Sequence, residues 1–243
     1  MGTELIPLVF TSGWASGVNA YAALLVLGLA ERFFGLSQIP DALARTDVLV
    51  GAGILFVIEM VADKIPYVDS VWDSIHTIVR PAVGATIGYL LGHEHAGLAV
   101  AASAATGGVT AFISHTVKAG LRAAVNTSPE PASNIVISTG EDVTVTGVMA
   151  LAIAHPWWAA AIAFVLLAAG AYLLYRLAGR LRQVKRRYDA WGERVGIATP
   201  TSRSRRTRKA RGSRDAPPSG PEPDPPHDPP HDPPSDQPFD QER

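Results

Sequence analysis

The chain of 243 residues has no cysteine, which excludes disulfides, thiolate metal sites and cysteine nucleophiles, and with them the small secreted scaffolds. Charge is also scarce, at 18% of residues against 47% hydrophobic. A water-soluble domain with such long apolar runs would be unusual, so the composition points to an integral membrane protein. Specific catalytic motifs are missing too. No serine stands in a nucleophile-elbow glycine pattern, and no glycine-rich loop ends in Lys followed by Ser or Thr. The charges that are present sort into blocks. Residues 1–175 carry 6 basic and 12 acidic groups, residues 176–214 carry 14 and 2, and residues 215–243 carry 1 and 8.

Six apolar stretches occupy residues 6–30, 48–62, 77–92, 97–125, 143–154 and 157–177, and they predict an all-α, polytopic bundle of about six segments. The second and fifth are short, as re-entrant segments would be. Ahead of the first there is only Glu4 and no basic residue, so it reads as a retained helix rather than a signal peptide. The fourth is rich in Ala, Gly, Ser and Thr, which let helices approach closely in lipid. Residues 126–142 read as a polar loop that contains the proline-bounded stretch 128–134 and ends at Glu141-Asp142; a water-exposed loop is expected, and a functional one is the alternative if its acidic end is buried. His93-Glu94-His95 reads as a solvated turn. With six crossings both termini share a side with Lys64, Lys118, Arg122 and the 14 basic residues of 176–214, while Arg32 and Arg45 lie opposite. Both termini are then expected in the cytoplasm.

Gly17-Val18-Asn19-Ala20-Tyr21 resembles Gly108-Val109-Thr110-Ala111-Phe112 at an offset of 91 residues, and the short segments fall at corresponding places. Two inverted three-segment repeats would explain both, and in transporters such halves enclose a binding site. Chance likeness among Gly- and Ala-rich helices is the competing explanation.

Ionisable groups in apolar segments cost about 2.5 kcal/mol or more each at the bilayer centre unless paired or wet. Glu59 and Asp63 lie four apart. Asp69, Asp73, His76 and Arg80 follow at steps of four, three and four, and His115, Lys118 and Arg122 at three and four. Each set shares one helix face. These nine residues are expected to meet in a polar cluster lining a cytoplasm-facing cavity, where pairing offsets desolvation; interfacial charges facing water are the alternative. His76 and His115 are the groups that exchange protons near neutral pH. Asp69, Asp73 and His76 also have a spacing that a divalent ion can use, although such spacing recurs by chance.

Three parts result: residues 1–178 as the transmembrane domain, residues 179–198 as a basic amphipathic juxtamembrane helix, and residues 199–243 as a disordered tail, Arg-rich and then rich in Pro, Asp and His. The tail holds 12 of the 19 prolines and the repeat His227-Asp228-Pro229-Pro230-His231-Asp232-Pro233-Pro234. The expected partners are the bilayer, with anionic lipid under the juxtamembrane helix. Homo-oligomers are compatible with the sequence. Nucleic acid is not expected despite the arginine run, and no cofactor is implied.

Ser16-Gly17-Val18-Asn19-Ala20-Tyr21, then Glu59 with Asp63-Lys64-Ile65-Pro66, Asp69, Trp72-Asp73, His76 and Arg80-Pro81, and finally His115, Lys118, Arg122, Asn126, Ser133-Asn134 and Glu141-Asp142, together resemble the bacterial membrane family named domain of unknown function 4126. The resemblance covers residues 8–178 and implies a multi-helix protein of the bacterial inner membrane. It brings no activity and no functional residues. The polar cluster favours a transporter or channel for a small solute, ion or lipid headgroup. A scaffold recruiting partners through its tail, or a membrane-embedded metal-dependent enzyme, are the competing classes.

Overall fold

The structure, a computed structural model, describes residues 2–93, 97–125 and 131–195, and these are helical throughout apart from short connections. The helices are α1 (Gly2–Phe34), α2 (Thr46–Ala62), α3 (Pro66–Gly92), α4 (Leu98–Val125), α5 (Pro131–Ala154) and α6 (Pro156–Val195), with a 3-10 turn at Asp41–Ala44. The proline-rich tail lies outside the described residues.

Proline sets three of the starts. Pro66, Pro131 and Pro156 are each the first helical residue, where a missing N–H costs nothing and the fixed φ suits the helix. Pro131 also corrects the expected polar loop: residues 131–142 are the first half of α5, so Glu141 and Asp142 sit in a helix interior. Residues 126–130 lie outside the description.

α1 is broken. Asn19 has extended backbone angles (φ −148°, ψ 101°), dividing the helix into arms of residues 2–18 and 20–34. The Asn19 side-chain oxygen accepts the Ala22 N–H at 2.9 Å, the geometry of an N-cap for the second arm. The first arm runs alongside α4 in the same direction. Gly13 lies at Gly107 and Gly17 at Ala111, the Ser114 hydroxyl donates to the Trp14 carbonyl, and the Lys118 ammonium donates to that of Val18. The second arm follows α5 instead, from Asn19 at Asp142 to Gln38, just beyond the arm, at Ile153.

α3 packs against α4 in the opposite direction through small residues, Gly84 on Gly107 and Gly88 on Ser103. A side chain at Gly84, Gly88 or Gly107 would collide with facing backbone, so the glycines set the interhelical distance. α5 packs on α1 and stands off α4. α6 runs parallel to α4, with Gly170 at Val117 and Leu174 at Gly120. Gly2 therefore lies toward the end of the bundle opposite the one at which α6 reaches Arg176. An apolar core of Leu8, Trp14, Ala23, Leu27, Val145, Met149 and Ala163 joins α1, α5 and α6.

Three helices are long and apolar enough to cross a membrane: Leu98–Ala124, Ile135–Ala154 and Pro156–Arg180. Their outward faces are apolar, as at Phe112, Val143, Phe164, Val165 and Leu173. The protein is thus an all-helical chain with apolar, membrane-type helices.

Candidate functional site

All nine ionisable residues grouped by spacing are buried, and α2, α3 and α4 bring eight of them into one network of ion pairs and hydrogen bonds, while His76 is bonded to Tyr21 and Trp72 instead. Arg80 is the centre of the network. Its Nη2 donates to Glu59 Oε1 at 2.6 Å, and its Nη1 lies 3.2 Å from Asp73 Oδ1 and donates to His115 Nδ1 at 2.8 Å. Lys118 Nζ reaches Asp63 Oδ2 at 2.9 Å, Glu141 Oε2 at 3.4 Å and Glu59 Oε1 at 3.8 Å. Arg122 Nη2 lies 3.3 Å from both Asp63 Oδ2 and Asp69 Oδ1, and its Nε lies 3.8 Å from Glu141 Oε2.

The break in α1 belongs to the same site. Interrupting a helix releases the carbonyls that precede the break, and non-helical backbone at membrane depth persists only where protein or a cavity satisfies it. Here cations do so. Val18 O takes the Lys118 ammonium at 2.9 Å, and Gly17 O faces Arg80 Nη1 at 3.4 Å. Ser16 closes the junction by donating to the Arg80 carbonyl at 3.0 Å.

Both ring nitrogens of each histidine are engaged. A guanidinium only donates, so His115 Nδ1 must be the acceptor for Arg80, and its Nε2 proton points to Thr77 Oγ1 at 3.1 Å. His76 Nδ1 donates to the Trp72 carbonyl at 2.8 Å, and its Nε2 shares a hydrogen bond with the Tyr21 hydroxyl at 3.0 Å. Both rings are buried. His76 is not turned toward Asp69 and Asp73 as a ligand. Among the described residues no three His, Asp or Glu side chains converge as a metal set.

Four participants were not singled out from the sequence. Asn19 donates to Asp142 Oδ1 at 2.9 Å, Tyr21 holds His76, and Glu141 joins both Lys118 and Arg122. The helical repeat of Ser138, Glu141-Asp142, Val145 and Met149 marks the inward face of α5 and was the signal available.

The charges do not cancel. Glu59, Asp63, Asp69, Asp73 and Glu141 are five carboxylates around the three cations Arg80, Lys118 and Arg122, with Asp142 close by through Asn19. Glu59 is fully buried and its Oε2 has no hydrogen-bond partner among the described residues.

Beside the network lies an open cleft of about 360 Å³ between α4 and α5, floored by Trp14 and Val18 of α1 and walled by Leu166, Leu167 and Gly170 of α6. Its lining is mainly apolar, and Lys118 and Glu141 are the ionisable groups that reach it. The cavity therefore touches the cluster at one edge only.

Comparison with curated proteins and with solved structures returns no match. Residues 6–176 match the family model described as Domain of unknown function (DUF4126), and the chain belongs to that family.

Proposed function

We propose that this is a multi-pass protein of the bacterial inner membrane that moves a small cationic solute or ion, with the buried network as its transit site. The observation that carries the reading is the excess of carboxylates over cations at a break in a helix. A structural ion-pair network needs no surplus of one sign, since each uncompensated buried charge costs several kcal/mol by order of magnitude. A surplus is explained if a mobile cation or proton completes it. Discontinuous helices whose termini and freed carbonyls face a polar site near mid-bundle are also the usual construction of transporter sites.

Several features support membrane placement. Val50, Ile54, Val57, Ile58 and Val61 of α2 and Val71, Ile75 and Ile78 of α3 are exposed, as lipid-facing residues would be. The apolar part of α6, Pro156–Arg180, has Trp157 and Trp158 at one end and Tyr172 and Tyr175 near the other, the positions of interfacial aromatic belts. Arg176, Arg180 and Arg182, at and just past that second end, support a cytoplasmic location for it, against anionic lipid.

This reading departs from two expectations. The parallel course of α1's first arm and α6 favours opposite sides of the membrane for Gly2 and Arg176 over a shared cytoplasmic location of the termini. Inverted halves would make α1 and α4 antiparallel, whereas the first arm and α4 run parallel, and among the described helices α1 alone has a break. The reading therefore does not use the repeat.

The test is flux. Wild-type protein in proteoliposomes is expected to pass protons or monovalent cations when a membrane potential is applied, and Asp73→Asn is expected to stop it. Wild-type flux in Asp73→Asn, with the variant folded, would refute the reading.

A further inference from the structure

We infer that the cleft between α4 and α5 binds a monovalent organic cation with an apolar body, its charged head against Glu141. This rests on the transport reading and names its substrate class. The cleft, at about 360 Å³, is of small-ligand size, and Trp14, Ile137 and Leu166 offer apolar surface to the body of a guest.

The polar groups at the wall determine what head fits. The Ser114 hydroxyl is committed to the Trp14 carbonyl at 2.9 Å and the Thr144 hydroxyl to that of Gly140 at 2.6 Å. Lys118 is surrounded by the Val18 carbonyl and three carboxylates. Glu141 differs. Its side chain is 21% exposed, against 8% or less for Glu59, Asp63, Asp69 and Asp73, and its buried Oε2 accepts no hydrogen bond from the described residues, although two cations stand 3.4 and 3.8 Å away. An anion entering here would meet a site already in negative surplus. A neutral apolar guest would leave the surplus as it is. A cationic guest beside Glu141 offsets it by charge alone.

Tetraphenylphosphonium is a fitting probe, with tetraphenylborate as its counterpart of like shape and opposite charge. Binding of each to the purified full-length protein in detergent would be measured by calorimetry. Saturable phosphonium binding is expected, weakened at least ten-fold by Glu141→Gln. Gly140→Leu is expected to abolish it, because a Cβ at Gly140 meets nothing within 4 Å and the side chain extends into open space. Both variants would first be checked for a wild-type elution profile. If the borate binds as well, or Glu141→Gln binds like wild type, the cleft is an apolar groove for lipid tails and the inference fails. Absence of phosphonium binding to folded wild type also overturns it. Asp73-dependent flux without phosphonium binding would remove the cleft assignment alone. Phosphonium binding without any flux would remove the transport reading and leave a binding site.

Discussion

Arg80 is fully buried and answers to two carboxylates and an imidazole at once. Removing its charge strands Glu59 and Asp73 in a site that water does not reach freely, and breaking a buried pair from one side costs about 3–5 kcal/mol. Arg80→Met is therefore expected to unfold or precipitate in detergent, read as a collapsed elution profile and a lowered melting temperature. Asp73→Asn works in the other direction: it keeps the shape and removes one charge of the surplus sign. Its stability is expected within about 1 kcal/mol of wild type while flux is lost. A strongly destabilised Asp73→Asn would mean that the carboxylate is structural. Eight residues of the network were legible in the sequence because spacing of three and four on apolar helices leaves polar side chains on one face; His76 shares that spacing but turns to Tyr21 and Trp72. Glu141 and Asp142 were not legible, because high local polarity resembles a water-exposed loop when the partners that justify it, Asn19, Lys118 and Arg122, lie far away in the chain.

At the scale of elements, α1 depends on one residue. Asn19 caps the second arm and donates to Asp142, so Asn19→Leu leaves the Ala22 N–H and a carboxylate oxygen without those partners. A loss of about 1–3 kcal/mol is expected, measured as a lower melting temperature, together with loss of flux. An unchanged melting temperature would show that the break does not need its cap. Gly17 tests the packing beside it. A methyl group there would meet the Ala111 carbonyl and force α1 off α4, whereas Gly147 of α5 has open space around it. Gly17→Ala is expected to destabilise by about 1–3 kcal/mol and Gly147→Ala to be neutral or stabilising by up to about 1 kcal/mol, by thermal unfolding in the same detergent. Each apolar run lies along one of the six described α-helices, but the runs missed the first half of α5, where Glu141 and Asp142 face the interior, and by length and composition only three of these helices suit a membrane crossing. The runs did not reveal the break, since Asn19 sits in an apolar stretch that is long enough to be one helix.

For the whole molecule, the lack of native cysteine makes sidedness directly measurable. Glu4 and Arg180 are exposed, so single-cysteine variants at these positions report the two ends of the bundle without background. In intact spheroplasts a membrane-impermeant maleimide is expected to label Glu4→Cys and to leave Arg180→Cys unlabelled until the cells are opened. Equal labelling of both would return the termini to one side. The labelling separates two sequence arguments of unequal weight: the basic block bears directly on the side of the residues that carry it, whereas counting crossings to assign the other terminus presumes that each apolar stretch crosses once.

The joint at Asn19 also has a mechanical consequence. The first arm is keyed to α4 by glycine contacts and the second is tied to α5 through Asn19–Asp142, so the two arms are held by different partners and meet at the depth of the ion pairs. A helix arm of this length is about 25 Å long, and a swing of about 10° would carry its far end through about 4 Å while displacing groups beside the pivot very little. The charged centre could then keep its geometry through a stroke that opens one mouth of the bundle, which makes the pivot, not the rims, the place where a substitution would stiffen the whole movement.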